Sequence, residues 1–278
     1  MKNFDTFFQK IYTQPLASRK SWYADSTIAY AAHRAPYVPA MIDVACEQLP
    51  PAAETHLLEV GSGPGNATQH FVKKGYRLTC VEPNTTACEF ARERFQDYPN
   101  IEIINNTFEE WDAPAEQFDG AIASTSFHWL HPDIRCKKMY ELLKPGGKII
   151  LLWNTAPQPI PEIYQYLHPL YEQFIPLLAN YENLAIQQHN LEKISQSLIT
   201  SNYFRDLTLH HVTETLVYQP EDYLSLLTTL SPYIALETAT QNQFFNQLRQ
   251  AFQTNHIEEI PTCYVCAAHI AHKIRLEV

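Results

Sequence analysis

The sequence predicts an α/β fold, a doubly wound, seven-stranded, mostly parallel sheet. Three observations predict it. Strand-like apolar runs alternate with helix-like runs from residue 56 to residue 153, the pattern of a parallel sheet with crossover helices. All seven glycines fall between Gly61 and Gly147, which concentrates the tight turns in that half. Two later strand-like runs, Leu207 to Tyr218 and Thr262 to Ile274, flank a helical segment and complete the sheet.

The first five strands are expected at His56 to Val60, Tyr76 to Glu82, Ile101 to Asn105, Phe118 to Ser124 and Lys148 to Trp153. Helices are expected between them over Asn66 to Lys74, Thr85 to Tyr98 and Pro132 to Leu143. Upstream, Ser26 to Leu49 reads as helix broken at Pro36 and Pro39. Residues 156–200 are rich in Pro, Tyr, Leu and Gln and hold no Gly, which predicts helices and loops. Pro220 to Gln253 reads as helix, interrupted near Ser231-Pro232. The expected division is therefore a helical N-terminal lid (1–50), a core (51–155), a helical insertion (156–205) and a C-terminal part (206–278). That last part completes the sheet and adds a helical cap segment.

Composition narrows the function classes. A chain of 278 residues suits one large α/β domain with an insertion. The net charge of -10, from 20 basic and 30 acidic residues, argues against a nucleic-acid partner, which needs a dense Lys/Arg surface. No apolar run approaches the ~20 residues that cross a bilayer, and the opening MKNFDTFFQKIYTQPLASRK lacks a signal peptide's apolar stretch. The expectation is a cytoplasmic protein with no membrane partner. The six cysteines are expected reduced. Cys263 and Cys266 lie three apart in a strand-like run, and His210 and His211 are adjacent on another. Each pair therefore faces opposite sides of a sheet, and no metal site is expected.

The motif that carries chemistry is Leu57-Leu58-Glu59-Val60-Gly61-Ser62-Gly63-Pro64-Gly65-Asn66. An apolar strand runs into a Gly-x-Gly-x-Gly turn, where the backbone bends sharply and admits a ligand without a Cβ in the way. Glu82 ends the second strand 21 positions beyond Gly61. That matches the spacing of ~20 residues at which a carboxylate meets a ribose diol. Together these residues predict a site for a nucleoside-bearing cofactor. A nicotinamide dinucleotide site wants a third Gly or Ala where this chain has Asn66.

With the later FDGAIASTSFHWL (118–130) and LLKPGGKIILLW (142–153), the chain resembles the class I S-adenosylmethionine-dependent methyltransferases. Within them it is similar to the small-molecule, trans-aconitate methyltransferase-like branch. Upstream, Tyr30-Ala31-Ala32-His33-Arg34-Ala35-Pro36-Tyr37 is similar to that branch's Tyr…Arg-Pro-x-Tyr segment, with Ala35 inserted, and Leu230 to Tyr233 resembles its cap. The resemblance implies the Rossmann-like methyltransferase fold and S-adenosyl-L-methionine as cofactor. It implies that Glu59 and the Gly61, Ser62, Gly63 and Gly65 turn hold the methionine part. Glu82 would bind the ribose, Pro83, Asn84, Thr107 and Phe108 would line the adenine, and Ser124 would border the methyl group. His128 and Trp129, with Tyr30 and Arg34, would face the substrate, and His128 is the candidate general base. The implied activity is methyl transfer to a small-molecule acceptor, with a carboxylic acid as the candidate. The alternatives are a non-catalytic S-adenosylmethionine or S-adenosylhomocysteine-binding module, or an NAD(P)-dependent reductase.

Overall fold

A computed structural model describes Ser18 and residues 20–275; the start of the expected N-terminal lid and the last three residues lie outside the described residues. The central strands are β1 (His56–Val60), β2 (Arg77–Glu82), β3 (Ile101–Asn105), β4 (Phe118–Ser124) and β5 (Leu143–Asn154). They are followed by β6 (Gln158–Pro159), β7 (Phe204–Tyr218) and β8 (Ile260–Lys273). The order β3-β2-β1-β4-β5-β8-β7 is parallel through β5, and β8 runs antiparallel to both its neighbours. The two-residue β6 also pairs with β8, extending the β5 side of that strand. The expected seven strands are all present, and β6 is an addition too short to read from the sequence.

Strand β1 is buried along its whole length, His56 and Glu59 included, because both faces are covered, as in parallel sheets generally. One face carries Leu58, Ala121, Ala123, Ile149, Leu151 and Val265. They pack against helices α5 (Pro132–Leu142) and α7 (Leu184–Thr200). The other carries Leu57, Leu78, Ile122, Ile150, Leu152 and Cys266 under α2 (Pro39–Glu47), α3 (Thr68–Lys73) and α4 (Thr85–Arg94). A third apolar cluster joins α6 (Pro161–Phe174), α8 (Pro220–Thr228), α9 (Ser231–Ile234) and α10 (Thr238–Thr254) into a cap. The lid helix α1 (Thr27–His33) lies against α8.

Element boundaries moved where turns compete with helix or strand. Helix α3 begins at Thr68 rather than Asn66, because the glycine turn occupies residues 63–67. Strand β5 begins at Leu143, five residues before the expected start. Phe118 pairs with Leu143, and a register shift before Gly120 absorbs the Lys-Pro-Gly-Gly stretch.

Gly65 fixes how α3 meets α4. Its φ is +87°, and a Cβ there would stand 2.3 Å from the Phe95 ring. The missing third fingerprint glycine is thus supplied one position early. Gly65→Ala is expected to destabilise the fold by about 1–3 kcal/mol through strain and overpacking, measured as a lower urea midpoint with unchanged slope.

Candidate active site

The chain leaves β1, winds outward through β2 and β3, and returns to β4 on the other side of β1. Ligands bind at such a switch point, outside the carboxyl ends of the strands. The turn after β1 and the loop after β4 meet there. Gly61 has a φ of +66°, and a Cβ on it would come within 2.6 Å of Ser126 Cβ, so only glycine lets the two segments approach. The Ser126 hydroxyl donates to the Val60 carbonyl and locks the approach.

Glu82 ties β2 to this turn. Its Oε2 accepts from the Gly63 N–H at 2.8 Å and its Oε1 from the Asn84 N–H at 2.9 Å. Asn84 then caps α4, accepting from the Ala87 N–H through Oδ1. Burial raises the Glu82 carboxyl above the usual range, against the pull of those two N–H donors. From outside, the Arg94 guanidinium donates to the Pro64 carbonyl, to Asn66 Oδ1 and to Gln69 Oε1. Asn66 in turn donates to the Tyr30 carbonyl of the lid. The residue that breaks the nicotinamide pattern is therefore the one that ties lid to core.

A cavity of about 990 Å³ opens over this turn, and a polar alcove of about 30 Å³ continues it between the turn and the lid. Of the expected residues, Gly61, Gly63, Glu82, Pro83, Asn84, Thr107, Phe108, Ser124, Tyr30, Arg34, His128 and Trp129 line the cavity. Ser62 lines the alcove alone. Two do not reach either space. Gly65 is spent on packing, and Glu59 lies fully buried beneath the turn. Glu59 accepts from Thr68 Oγ1 at 2.7 Å and from Ser124 Oγ at 3.1 Å, bracing α3 and β4 instead of meeting a ligand directly. The Thr107 N–H is likewise engaged, donating to Asn106 Oδ1.

Two other expectations change. Arg34 does not hold its fork toward the cavity. Nε and Nη2 donate to Thr229 Oγ1 and the Thr229 carbonyl, at 2.8 and 2.6 Å, while the guanidinium stacks on Tyr30. His128 stacks on Trp153 with ring centroids 5.6 Å apart. Burial, with Arg135 and Arg34 adding repulsion, pushes its imidazolium down to about 3. A ring so reluctant to take a proton is a poor general base.

Sequence reasoning passed over Thr125, Asn154, Tyr37 and Tyr23. Thr125 has a φ of +51°, costly for a β-branched residue. Its N–H donates to the Leu152 carbonyl, and its hydroxyl meets Tyr37 Oη and the Asn154 N–H, which hold it there. A Ser-Thr-Ser loop carries no composition signal for such a conformation. Tyr23 shares a 2.5 Å hydrogen bond with Ser231 on the cap and packs edge-on against Trp129 and Tyr30.

Residues 57–147 match the family described as Methyltransferase domain. That segment, about a third of the chain, holds both the glycine turn and Glu82. It is 29% identical over 127 residues to an uncharacterized methyltransferase of Mycobacterium tuberculosis, covering 46% of this chain and 49% of that protein. It is 27% identical over 108 residues to an uncharacterized methyltransferase-like protein of Schizosaccharomyces pombe, covering 38% and 41%. The chain thus spans about half the length of the curated relatives it matches. Solved structures share the methyltransferase fold. One from Anaeromyxobacter dehalogenans, provisionally described as a type II methyltransferase, superposes with a TM-score of 0.62 at 18% identity, over 87% of this chain and 98% of that one. A Haemonchus contortus phosphoethanolamine N-methyltransferase, solved with phosphomonomethylethanolamine and S-adenosylhomocysteine, gives 0.54 at 13% identity, over 93% and 59%. S-adenosylmethionine is the cofactor expected from the sequence. The site fits it, since Glu82 can receive both ribose hydroxyls and the positive-φ glycines admit close backbone approach.

Two measurements test these electrostatics. Burial raises the Glu59 carboxyl to about 7 from 4.5. Between those values the unfolded chain has released a proton that the folded one keeps. This group's contribution to stability is therefore full below pH 4.5 and is lost as pH rises toward 7. Glu59→Gln should remove that part of the slope in pH-dependent urea titrations; an unchanged slope places its origin elsewhere. NMR titration of the His128 ring should show no protonation between about pH 5 and 8, and an inflection near 6.5 would restore it as a base.

Proposed function

We propose that this protein transfers the methyl group of S-adenosylmethionine to a small molecule held beneath the cap. The observation that carries the reading is a single cavity shared by the Glu82 and glycine-turn cradle and by a wall drawn from α6, α8 and α9. Its volume of about 990 Å³ lies at the top of the ~300–1,000 Å³ range of ligand pockets. That leaves room for an acceptor beside a nucleoside cofactor.

In this reading Glu82 binds the ribose hydroxyls, and Pro83, Asn84, Thr107 and Phe108 flank the adenine. The alcove beside Ser62, Asn66 and Arg34 receives the amino-acid end. Bound S-adenosylmethionine supplies a sulfonium-activated methyl group to a nucleophile. The chain's own task is orientation and exclusion of water. Ser124 and Thr125 set the floor at the carboxyl end of β4, and Tyr23, Tyr30 and Trp129 close the lid side. The weak basicity of His128 favours an acceptor that is nucleophilic without prior proton removal. Arg34 stacks on Tyr30 and donates to Thr229, next to Leu230 to Tyr233, so the two outlying segments that resemble the trans-aconitate methyltransferase-like branch lie together. Enclosure of the acceptor beneath a cap, together with the net charge of -10, speaks against a polymeric nucleic acid as acceptor.

Isothermal calorimetry should show S-adenosylhomocysteine binding to the wild-type chain and NADH failing to bind. Glu82→Gln places an amide NH₂ against a backbone N–H and should weaken S-adenosylhomocysteine by about 10- to 100-fold. NADH binding without S-adenosylhomocysteine binding would overturn the reading.

A further inference from the structure

The cap half of the cavity is walled by Tyr164, Tyr171, Leu178, Tyr223, Leu230 and Tyr233. Four tyrosines suggest a polar surface, but their hydroxyls are occupied within the wall. Tyr164 donates to the Ala179 carbonyl at 2.7 Å, and the Tyr171 and Tyr233 hydroxyls lie 3.0 Å apart. The Tyr223 phenol lies beside Tyr171. What these rings offer the cavity is therefore mainly carbon. Burial holds the phenols of Tyr171, Tyr223 and Tyr233 above their usual value, so this wall is uncharged at neutral pH.

Three of the four Lys and Arg side chains that line the cavity are spent in the same way, Lys193 being the fourth. Arg34 gives its fork to Thr229. Arg135 donates to the Phe127 carbonyl and Ser197 Oγ, with its guanidinium 4.3 Å over the Phe127 ring. Lys20 is paired with Glu110 at 2.8 Å. A di- or tricarboxylate requires forks aimed at it, and these side chains are turned into the protein framework.

We infer that the cap half of this cavity is an apolar subsite that takes the bulky aromatic or hydrocarbon body of an uncharged methyl acceptor, not a polycarboxylate. The inference rests on the methyl-transfer reading for the word acceptor, while the subsite itself is a property of the wall. It departs from the carboxylic acid that the family resemblance implied, because Arg34, expected to face the substrate, is bound to Thr229.

The test uses N-phenyl-1-naphthylamine, an uncharged apolar fluorophore, with the full chain. Saturable, one-to-one fluorescence enhancement is expected, displaced by 2-naphthol and unaffected by millimolar citrate. Leu230 is half-buried on the wall, and Leu230→Trp should fill the subsite and weaken the probe by about tenfold or more. Leu230→Ala, which removes contacts without crowding, should weaken it by a few fold if the larger variant misfolds. Absence of probe binding, displacement by citrate, or affinity unchanged in both variants would overturn the proposal. Calorimetry with S-adenosylhomocysteine on the same samples separates the two ideas. Its failure in the wild-type chain alongside intact probe binding would sink the methyl-transfer reading and leave the apolar subsite standing.

Discussion

The hydrogen bonds from Gly63 and Asn84 to the two oxygens of Glu82 are the constraint on which the site depends. They join the end of β2 to the turn after β1 and set the start of α4. A buried carboxylate is expensive unless hydrogen-bonded, and two backbone donors supply that here. The carboxylate is thereby fixed in place, with its remaining lone pairs toward the cavity. In the proposed reading, ligand binding and loop geometry are thus parts of one arrangement, because the group assigned to the ribose also holds the glycine turn.

A second tier of buried polar contacts lies beneath and around this one. Glu59 braces α3 and β4 from below, and Arg94 clamps the turn from outside. The lid is held through its backbone. The carbonyls of Tyr30, His33, Ala35 and Pro36 accept from Asn66, Tyr218, Asn154 and Tyr264 respectively. Helix α1 ends at His33, so carbonyls left without helical partners are taken up by tertiary donors. Ala35, an insertion relative to the resembling segment, provides one of them. Those donors come from α3's approach, β5, β7 and β8, so the lid's seat is built by segments more than a hundred residues apart as well as by near ones.

The two halves of the cavity differ in how they treat polar groups. In the cofactor half, acceptors such as Glu82 face the space. In the cap half, hydroxyls and guanidinium groups bond to one another or to carbonyls, and ring faces remain. That contrast follows from composition: α6, α8, α9 and α10 contribute Leu, Phe and Tyr, and the polar tips of the tyrosines are satisfied when packed together.

The sequence determined the strand and helix order of the core, the glycine turn and the register of Glu82 with it. These are local patterns: a buried parallel strand is continuously apolar, and a turn at positive φ needs glycine. Sheet completion by two late strands was also legible, since β7 and β8 are long runs of strand formers. The roles of Glu59, Gly65, Arg34 and His128 were decided by tertiary structure alone. Each depends on a residue distant in sequence: Ser124 for Glu59, Phe95 for Gly65, Thr229 for Arg34, Trp153 for His128. A motif states which chemical group stands at a position. Only the packed chain settles whether that group is already spent on a neighbour, because hydrogen-bonding capacity and solvation are shared with whatever the fold brings beside it.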